Sequence, residues 1–299
     1  MSSFFPPLFF LISCGAVGQS QTVSASSAVA REFNAPRELK IVPPVDGLRS
    51  IRLVSWNIDR GSRLDTVSSE LERNPTDLYM LQEVDWNANR SGNIDVAAEL
   101  AKRLQLNLAY GVEFEELGQE RGQPALIGQA TLTRLPILSS RILRFQTQSG
   151  WWKPHDWMPS SMSLMQRRMG NRIALVTEVE FAGHLLVIYN THLESRSFGK
   201  IQSRQLEEIL ADLQRYPLDT PIILGGDLNT KYFPSKYVRR LKSQGFESAT
   251  GERIERTHTI AMALDWIFAK GSVKVESGIV RRDFKGSDHY PIFAELRSQ

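Results

Sequence analysis

The sequence predicts an α+β fold in which two β-sheets pack face to face and helices cover their outer surfaces. Three observations carry this. Apolar strand-like runs outnumber helical ones after residue 50. Two successive halves repeat a strand-and-helix rhythm, although no short sequence repeat links them. So many apolar strands need cover on both faces, which two packed sheets with helices outside provide. A length of 299 residues at 41% hydrophobic content suits one large domain or two small ones. No linker-like stretch follows residue 50, so the reading is one domain over 50–299.

The first thirty residues carry no charged side chain. The apolar run Phe4 to Ile12 is too short to span a membrane, and Ser, Ala and Gln dominate from there to Ala30. This predicts an export signal and flexible tether over 1–30. Leu11-Ile12-Ser13-Cys14 resembles a bacterial lipoprotein cleavage box, which would make Cys14 a lipidated N-terminus. The missing Lys or Arg ahead of the run and the Pro6-Pro7 interruption depart from that pattern. An exported protein, periplasmic, outer-membrane-anchored or secreted, is expected; the alternative is a disordered tail. Cys14 is the single Cys, so neither a disulfide nor a thiolate zinc site is available to the body of the chain.

Residues 31–49, punctuated by Pro36, Pro43 and Pro44, read as a linker. Ile51 to Trp56 and Leu78 to Leu81 read as strands, with a short amphipathic helix over Leu64 to Leu71 between them. Val96 to Leu104 puts Val96, Leu100, Ala101 and Leu104 on one helical face. Strands follow at Leu108 to Phe114, Leu126 to Thr133 and Ile137 to Phe145. Arg172 to Phe181 and Leu185 to Asn190 form a hairpin turned at Ala182-Gly183. Ile201 to Leu213 is a helix with Leu206, Ile209, Leu210 and Leu213 inward, and Tyr237 to Gln244 is a basic one. Leu264 to Phe268, Val273 to Val280 and Pro291 to Leu296 close as strands.

The chain is organised around Ile222 to Thr230 (IILGGDLNT). Four apolar residues run into two glycines, and Asp227 and Asn229 follow at the strand's carboxyl end. The glycines are expected to let backbone approach a ligand closely. A carboxylate and an amide there suit a water and a phosphate held near a hard metal. Five other stretches place polar groups beside apolar strands. Asn57 ends LVSWN, Gln82 and Glu83 sit in LYMLQEVD, Asn190 and His192 in VIYNTHLE with Asn190 a candidate substrate contact, Asp265 in LDWIF, and Asp288 and His289 in GSDHY. A charge such as Glu83 or Asp265 in an apolar run is costly unless paired or metal-bound. Strand ends of one sheet fold converge on one rim, so six such stretches point to one site.

SWNI, LQEV, NTHLE, GGDLN, LDWIF and SDHYP, in this order, resemble the endonuclease/exonuclease/phosphatase superfamily over about residues 50–299. The resemblance implies a four-layer α/β/β/α sandwich of two mixed sheets, deoxyribonuclease I-like. It also implies Mg²⁺ or Mn²⁺ and cleavage of a phosphoester P–O bond. Carried over block by block, Glu83 resembles the direct metal ligand, with Asn57 and Asp288 beside it. Asp227 and Asn229 resemble the pair that orients the attacking water and contacts the scissile phosphate. His289 resembles the catalytic histidine, Asp265 the carboxylate that fixes its tautomer, and His192 the second histidine of the deoxyribonuclease and sphingomyelinase branches. Whether Asp227 or His289 is the general base stays open at this level.

Leu126-Ile127 stands where the abasic-site branch has a Tyr-Asn pair, so abasic-site repair is disfavoured. The stretch Gly150 to Gly170 holds three of the six Trp and four of the seven Met. Its Trp151 and Trp152 are expected to meet substrate, either as a lipid-interface loop or by stacking bases with Arg167, Arg168 and Arg172 on phosphates; packing on the sheet edge is the alternative. Arg239, Arg240, Lys242, Arg253 and Arg256 are candidates for a basic cleft flank. The net charge of +3 is compatible with a phosphate-bearing substrate. The expected partner is a nucleic acid or a phospholipid headgroup, met by a monomer. Three functions are carried: a nuclease-type phosphodiesterase, a lipid-headgroup phosphodiesterase or phosphoinositide phosphatase, and an inactive binding module of the same fold.

Overall fold

The computed structural model describes residues 29–153 and 167–299. Residues 1–28 of the expected export signal and tether, with Cys14, and residues 154–166 of the Trp-rich stretch lie outside the described residues. In chain order the elements are α1 (Ala30–Asn34), β1 (Arg37–Leu39), β2 (Ser50–Arg60), α2 (Leu64–Arg73), β3 (Leu78–Trp86), α3 (Val96–Leu104), β4 (Asn107–Leu117), β5 (Leu126–Thr133) and β6 (Ile137–Arg144). Then come β7 (Arg167–Gly170), β8 (Ile173–Phe181), β9 (His184–His192), α4 (Lys200–Asp212), β10 (Ile222–Asp227), α5 (Pro234–Lys242), β11 (Glu247–Ser248), β12 (Asp265–Lys270), β13 (Val273–Val280) and β14 (Ile292–Ser298). Eight strands form one sheet in the order β1-β4-β5-β3-β2-β14-β13, with β7 added on β4. Six form the second in the order β11-β12-β10-β9-β8-β6.

Period-2 alternation splits each strand between two layers. On β2, Val54, Trp56 and Ile58 pack against α2 and α3, while Ile51 and Leu53 face the second sheet. On β10, Ile222 and Leu224 pack against α4 and α5, while Ile223 faces the first sheet. The result is three apolar cores, one under each helical layer and one between the sheets, which is the expected four-layer α/β/β/α sandwich.

The inter-sheet layer changes character along its length, and this positions the site. Inward residues run Leu53, Ser55, Asn57 on β2 and Leu78, Met80, Gln82 on β3. On the other sheet they run Leu186, Ile188, Asn190, His192 on β9, then Ile223, Gly225, Asp227 on β10 and Ala269, Ile267, Asp265 on β12. One end of the layer is aliphatic and the other is polar.

Several expectations need correction. Residues 31–49 are not only a linker: Phe33 of α1 is buried in the first core, and β1 pairs with β4 from Arg37↔Tyr110 to Leu39↔Leu108. The stretch after Gly150 is not all loop, because β7 adds to the edge of β4. The paired glycines of β10 approach protein rather than ligand. A Cβ on Gly226 (φ 128°) would lie 1.9 Å from Thr191 O on β9, and one on Gly225 would lie 2.9 Å from Trp266 O on β12. They let β10 seat tightly between its two neighbours.

Candidate active site

Sheet register assembles the site. Parallel pairing sets Asp227 of β10 beside His192 of β9, and antiparallel pairing sets it beside Asp265 of β12. Across the gap, β2 and β3 bring Asn57 opposite Gln82. Both strands carry an irregularity there, after Asn57 on β2 and after Leu81 on β3. Glu83 sits in the left-handed region (φ 50°) inside the second of these. Such bulges end regular pairing and re-aim a side chain, and here Glu83 turns into the cleft. His289 follows Ser287, whose hydroxyl donates to Asn57 O (2.7 Å), and Trp56 Nε1 donates to His289 O (2.9 Å). The last loop is thereby tied to the end of β2.

The side chains meet at the Asp227 carboxylate. Its Oδ1 accepts the Asn229 N–H (2.9 Å) and its Oδ2 accepts Asn57 Nδ2 (3.2 Å). Asn57 Nδ2 also lies 3.4 Å from Glu83 Oε1, while its Oδ1 accepts the Asp59 N–H (3.1 Å). That backbone donor fixes the amide's orientation, so Asn57 presents a donor to the two carboxylates. It stands beside Glu83, the expected metal ligand, and orients it. Asn229 gives its amide to Leu193 O (3.0 Å). Asp265, buried, receives His289 Nδ1 at 2.9 and 3.1 Å, which leaves Nε2 facing the cleft.

Burial pushes the Asp227 carboxyl up, and the neighbouring Asp265 charge adds to this, to about 6. Burial works against the His289 cation, but Asp265 and Asp227 outweigh it and hold the imidazolium up to about 10. His192 is driven the other way, well below the ordinary histidine value, by burial and by the nearby Arg172 cation. The two histidines therefore differ in charge near neutral pH: His289 is cationic and His192 neutral.

The substrate-side expectations divide. Trp151 is half-exposed on the cleft wall. Trp152 is partly buried beneath the guanidiniums of Arg168, Arg196 and Arg172, at 4.9, 5.3 and 5.9 Å from its ring. Arg172 lines the cleft from below but is buried, with Nη1 2.5 Å from Glu113 Oε1. It acts as a fixed positive charge rather than a free phosphate clamp. Asn190 does not line the cleft at all. Its Oδ1 accepts from Gln82 (2.8 Å) and its Nδ2 donates to Leu81 O and Ala130 O (3.2 and 2.9 Å). It pins one sheet to the other in the layer beneath the site, so its expected substrate role is withdrawn. Asp288 is half-exposed, with Oδ2 3.3 Å from His258 Nε2. The basic flank also differs from expectation. Arg60, Lys153, Arg167, Arg196 and Lys231 line the cleft, while Arg240 and Lys242 pair with Glu207 and Glu252 on α5's outer face.

Two residues escaped sequence reasoning. Glu113 Oε2 lies 3.8 Å from His192 Nδ1, and burial pushes its carboxyl up to about 7 against the pull of Arg172. Its signal was present, a charge within the apolar run of β4, of the same kind as Glu83. His258 packs edge-on against the His289 ring, with centroids 4.6 Å apart, and its Nδ1 accepts the Ile260 N–H (2.9 Å). It sits in a loop and carried no pattern.

The description "Endonuclease/Exonuclease/phosphatase family" matches residues 54–289. Among solved structures, an endonuclease/exonuclease/phosphatase from Beutenbergia cavernae DSM 12333 is similar, with a TM-score of 0.62 and 19% identity over 84% of this chain and 72% of that one. The human Nocturnin catalytic domain with bound sulfate anion gives a TM-score of 0.60 at 20% identity, over 86% of this chain and all of that one (100%). D. rerio TDP2 complexed with single strand DNA product gives a TM-score of 0.57 at 19% identity, over 83% of this chain and 99% of that one. No curated protein matches the chain. The matched residues run from the middle of β2 to His289 and enclose every side chain of the cleft, and the chain belongs to the endonuclease/exonuclease/phosphatase family.

Proposed function

We propose that the protein is a divalent-metal-dependent hydrolase that cleaves a phosphodiester P–O bond by water attack. The family it belongs to generally consists of hydrolases acting on phosphoester bonds with a divalent metal. The observation that carries the proposal is the gathering of Glu83, Asp227, His192 and the Asp265–His289 pair, from separate strands and a loop, around one cleft of about 670 Å³.

The residues present fit a hard cation. Glu83 and Asp288 offer carboxylate oxygen to the cleft, and no thiolate is available; oxygen donors of this kind suit Mg²⁺ or Mn²⁺. A bound ion would supply charge stabilisation to the phosphate oxygens and position the substrate. The chain's own groups divide the remaining work. Asp227, poised near neutrality and oriented by Asn57 and the Asn229 N–H, receives the proton of the attacking water. His289, cationic and backed by Asp265, donates from Nε2 to a phosphate oxygen as charge accumulates there. Neutral His192, seated between Asp227 and Glu113, donates a hydrogen bond without proton transfer to a second phosphate oxygen, and the leaving oxygen takes its proton from solvent.

A nuclease-type substrate is the preferred reading, supported by the cations of the cleft wall. The half-exposed Trp151 favours a lipid-headgroup phosphodiesterase as the second reading. Hydrolysis of plasmid DNA, sphingomyelin, inositol phosphates and bis-p-nitrophenyl phosphate, each with Mg²⁺ and with EDTA, tests both. No Mg²⁺-dependent turnover of any of the four would sink the proposal and leave the binding-module alternative.

A further inference from the structure

Two chain segments that begin at the cleft wall and leave it share a composition that the catalytic reading does not use. Residues 195–206 and 228–240 together hold seven Lys or Arg and no Asp or Glu. They are adjacent in space. Lys231 Nζ donates to Ser195 O (3.2 Å), the Tyr237 hydroxyl donates to Gly199 O (2.9 Å), and the Phe198 and Tyr232 rings stand 5.3 Å apart. The segments are the loops leaving β9 and β10 and the first turns of α4 and α5, so the band starts at the cleft and runs over its rim onto the helical layer. Among the described residues only Arg240 of these seven is held in a salt bridge, to Glu207.

Aromatic rings interleave with this charge. Phe198 is 85% exposed and Phe233 76% exposed. Phe233 adopts a left-handed backbone (φ 55°) directly ahead of Pro234, a conformation that only Gly enters freely. An aromatic side chain held outward at a strained position gains nothing from the fold, and such outliers cluster where a ligand is met. At the cleft end, Arg196 covers the Trp151 and Trp152 rings at 5.6 and 5.3 Å.

We propose that this band is a binding track for single-stranded nucleic acid, leading from the cleft over Phe198, Tyr232 and Phe233 toward α4 and α5. Alternating cations and exposed rings match a ligand that alternates phosphates and π-faces. A band that begins inside a cleft and continues onto the α4–α5 surface fits a polymer better than a flat anionic bilayer. Only the claim that the track feeds the cleft rests on the phosphodiester reading; the band's affinity does not.

The test is fluorescence anisotropy of a labelled dT20 oligonucleotide in EDTA, where no hydrolysis occurs, across a salt series. Lys200→Glu/Lys236→Glu should raise Kd at least ~10-fold and flatten the log–log salt slope by roughly 1.4, about 0.7 for each phosphate no longer neutralised. Phe198→Ala/Phe233→Ala should raise Kd roughly 5-fold or more with the slope unchanged. None of these four residues belongs to the cleft, so Mg²⁺-dependent hydrolysis of bis-p-nitrophenyl phosphate should be normal in both variants. If charge reversal impairs folding, Lys200→Gln/Lys236→Gln reads the same slope. Unchanged Kd and slope in both double variants would overturn the proposal. So would binding of phosphatidylglycerol vesicles, lost in the variants, by a protein without affinity for dT20, which would make the band a membrane-docking surface. Failure of bis-p-nitrophenyl phosphate hydrolysis alone would count against the catalytic reading and leave the track standing.

Discussion

The Asp227 carboxylate stands between the two histidine rings of the cleft, with Oδ2 3.4 Å from His192 Nε2 and 3.8 Å from His289 Nε2. Sheet pairing with β9 and a loop closed onto β2 place those rings independently, so the carboxylate is the point where both sheets' contributions meet. Asp227→Asn keeps the shape and the Asn57 contact on one oxygen but removes the proton acceptor. Its kcat on bis-p-nitrophenyl phosphate should fall at least ~100-fold while its thermal unfolding remains cooperative. Activity within a few fold of the unaltered protein would remove Asp227 from the role assigned to it.

His289 and His192 should titrate at opposite ends of the range. In EDTA-treated protein, the His289 ring carbons should report a proton retained through pH 8, and the His192 ring should already be neutral at the ordinary histidine value of 6.5. The sign of the linked stability follows. His289 has a folded value above its ordinary 6.5, so its contribution is complete below about 6.5 and is lost as pH rises toward about 10. Asp265→Asn should lower the His289 titration and remove most of that pH dependence. An unshifted His289 titration in that variant would contradict the pairing.

Glu83 is the carboxylate turned into the cleft by the irregularity in β3. Glu83→Gln keeps the volume and removes the charge that would hold a cation. The Mg²⁺ concentration giving half-maximal rate should rise at least ~10-fold, and EDTA should abolish the activity of the unaltered protein reversibly. Activity insensitive to EDTA would remove the metal from the proposal.

Asn190 makes a prediction about stability instead of chemistry. Asn190→Ala strands Gln82, Leu81 O and Ala130 O between the sheets. It should lower unfolding free energy by about 3 kcal/mol in denaturant titration. KM should be unchanged; a raised KM at unchanged stability would restore a substrate role for this amide.

Gly226→Ala tests the seating of β10. The residue's φ of 128° and a Cβ 1.9 Å from Thr191 O leave no room for a methyl group. The variant should lose at least ~2 kcal/mol of stability, read from its denaturant midpoint, and hydrolysis should fall with it because Asp227 is the next residue.

Much of the protein is legible in the chain. Alternating apolar residues mark the strands, since a buried face must repeat every second position. Glu83 and Asp265 stand out because a charge in an apolar run demands a partner, and Asp227 and His289 stand out through the strand-end block GGDLN and the block SDHYP. α3 and β5 match their expected ranges residue for residue. Tertiary structure alone decided which partner each charge found. Asn57 and Asn190 look alike as strand-end amides, yet one orients two carboxylates in the cleft and the other is sealed beneath it. Register and inter-sheet packing make that difference, and the inter-sheet contacts join residues more than a hundred positions apart, as Asn57 meets Asp227 and Asn190 meets Gln82. Local sequence carries no record of such pairings. His258 and the basic–aromatic band owe their positions to loops brought together only when the sheets close, which is why composition alone pointed to α5's outer face instead.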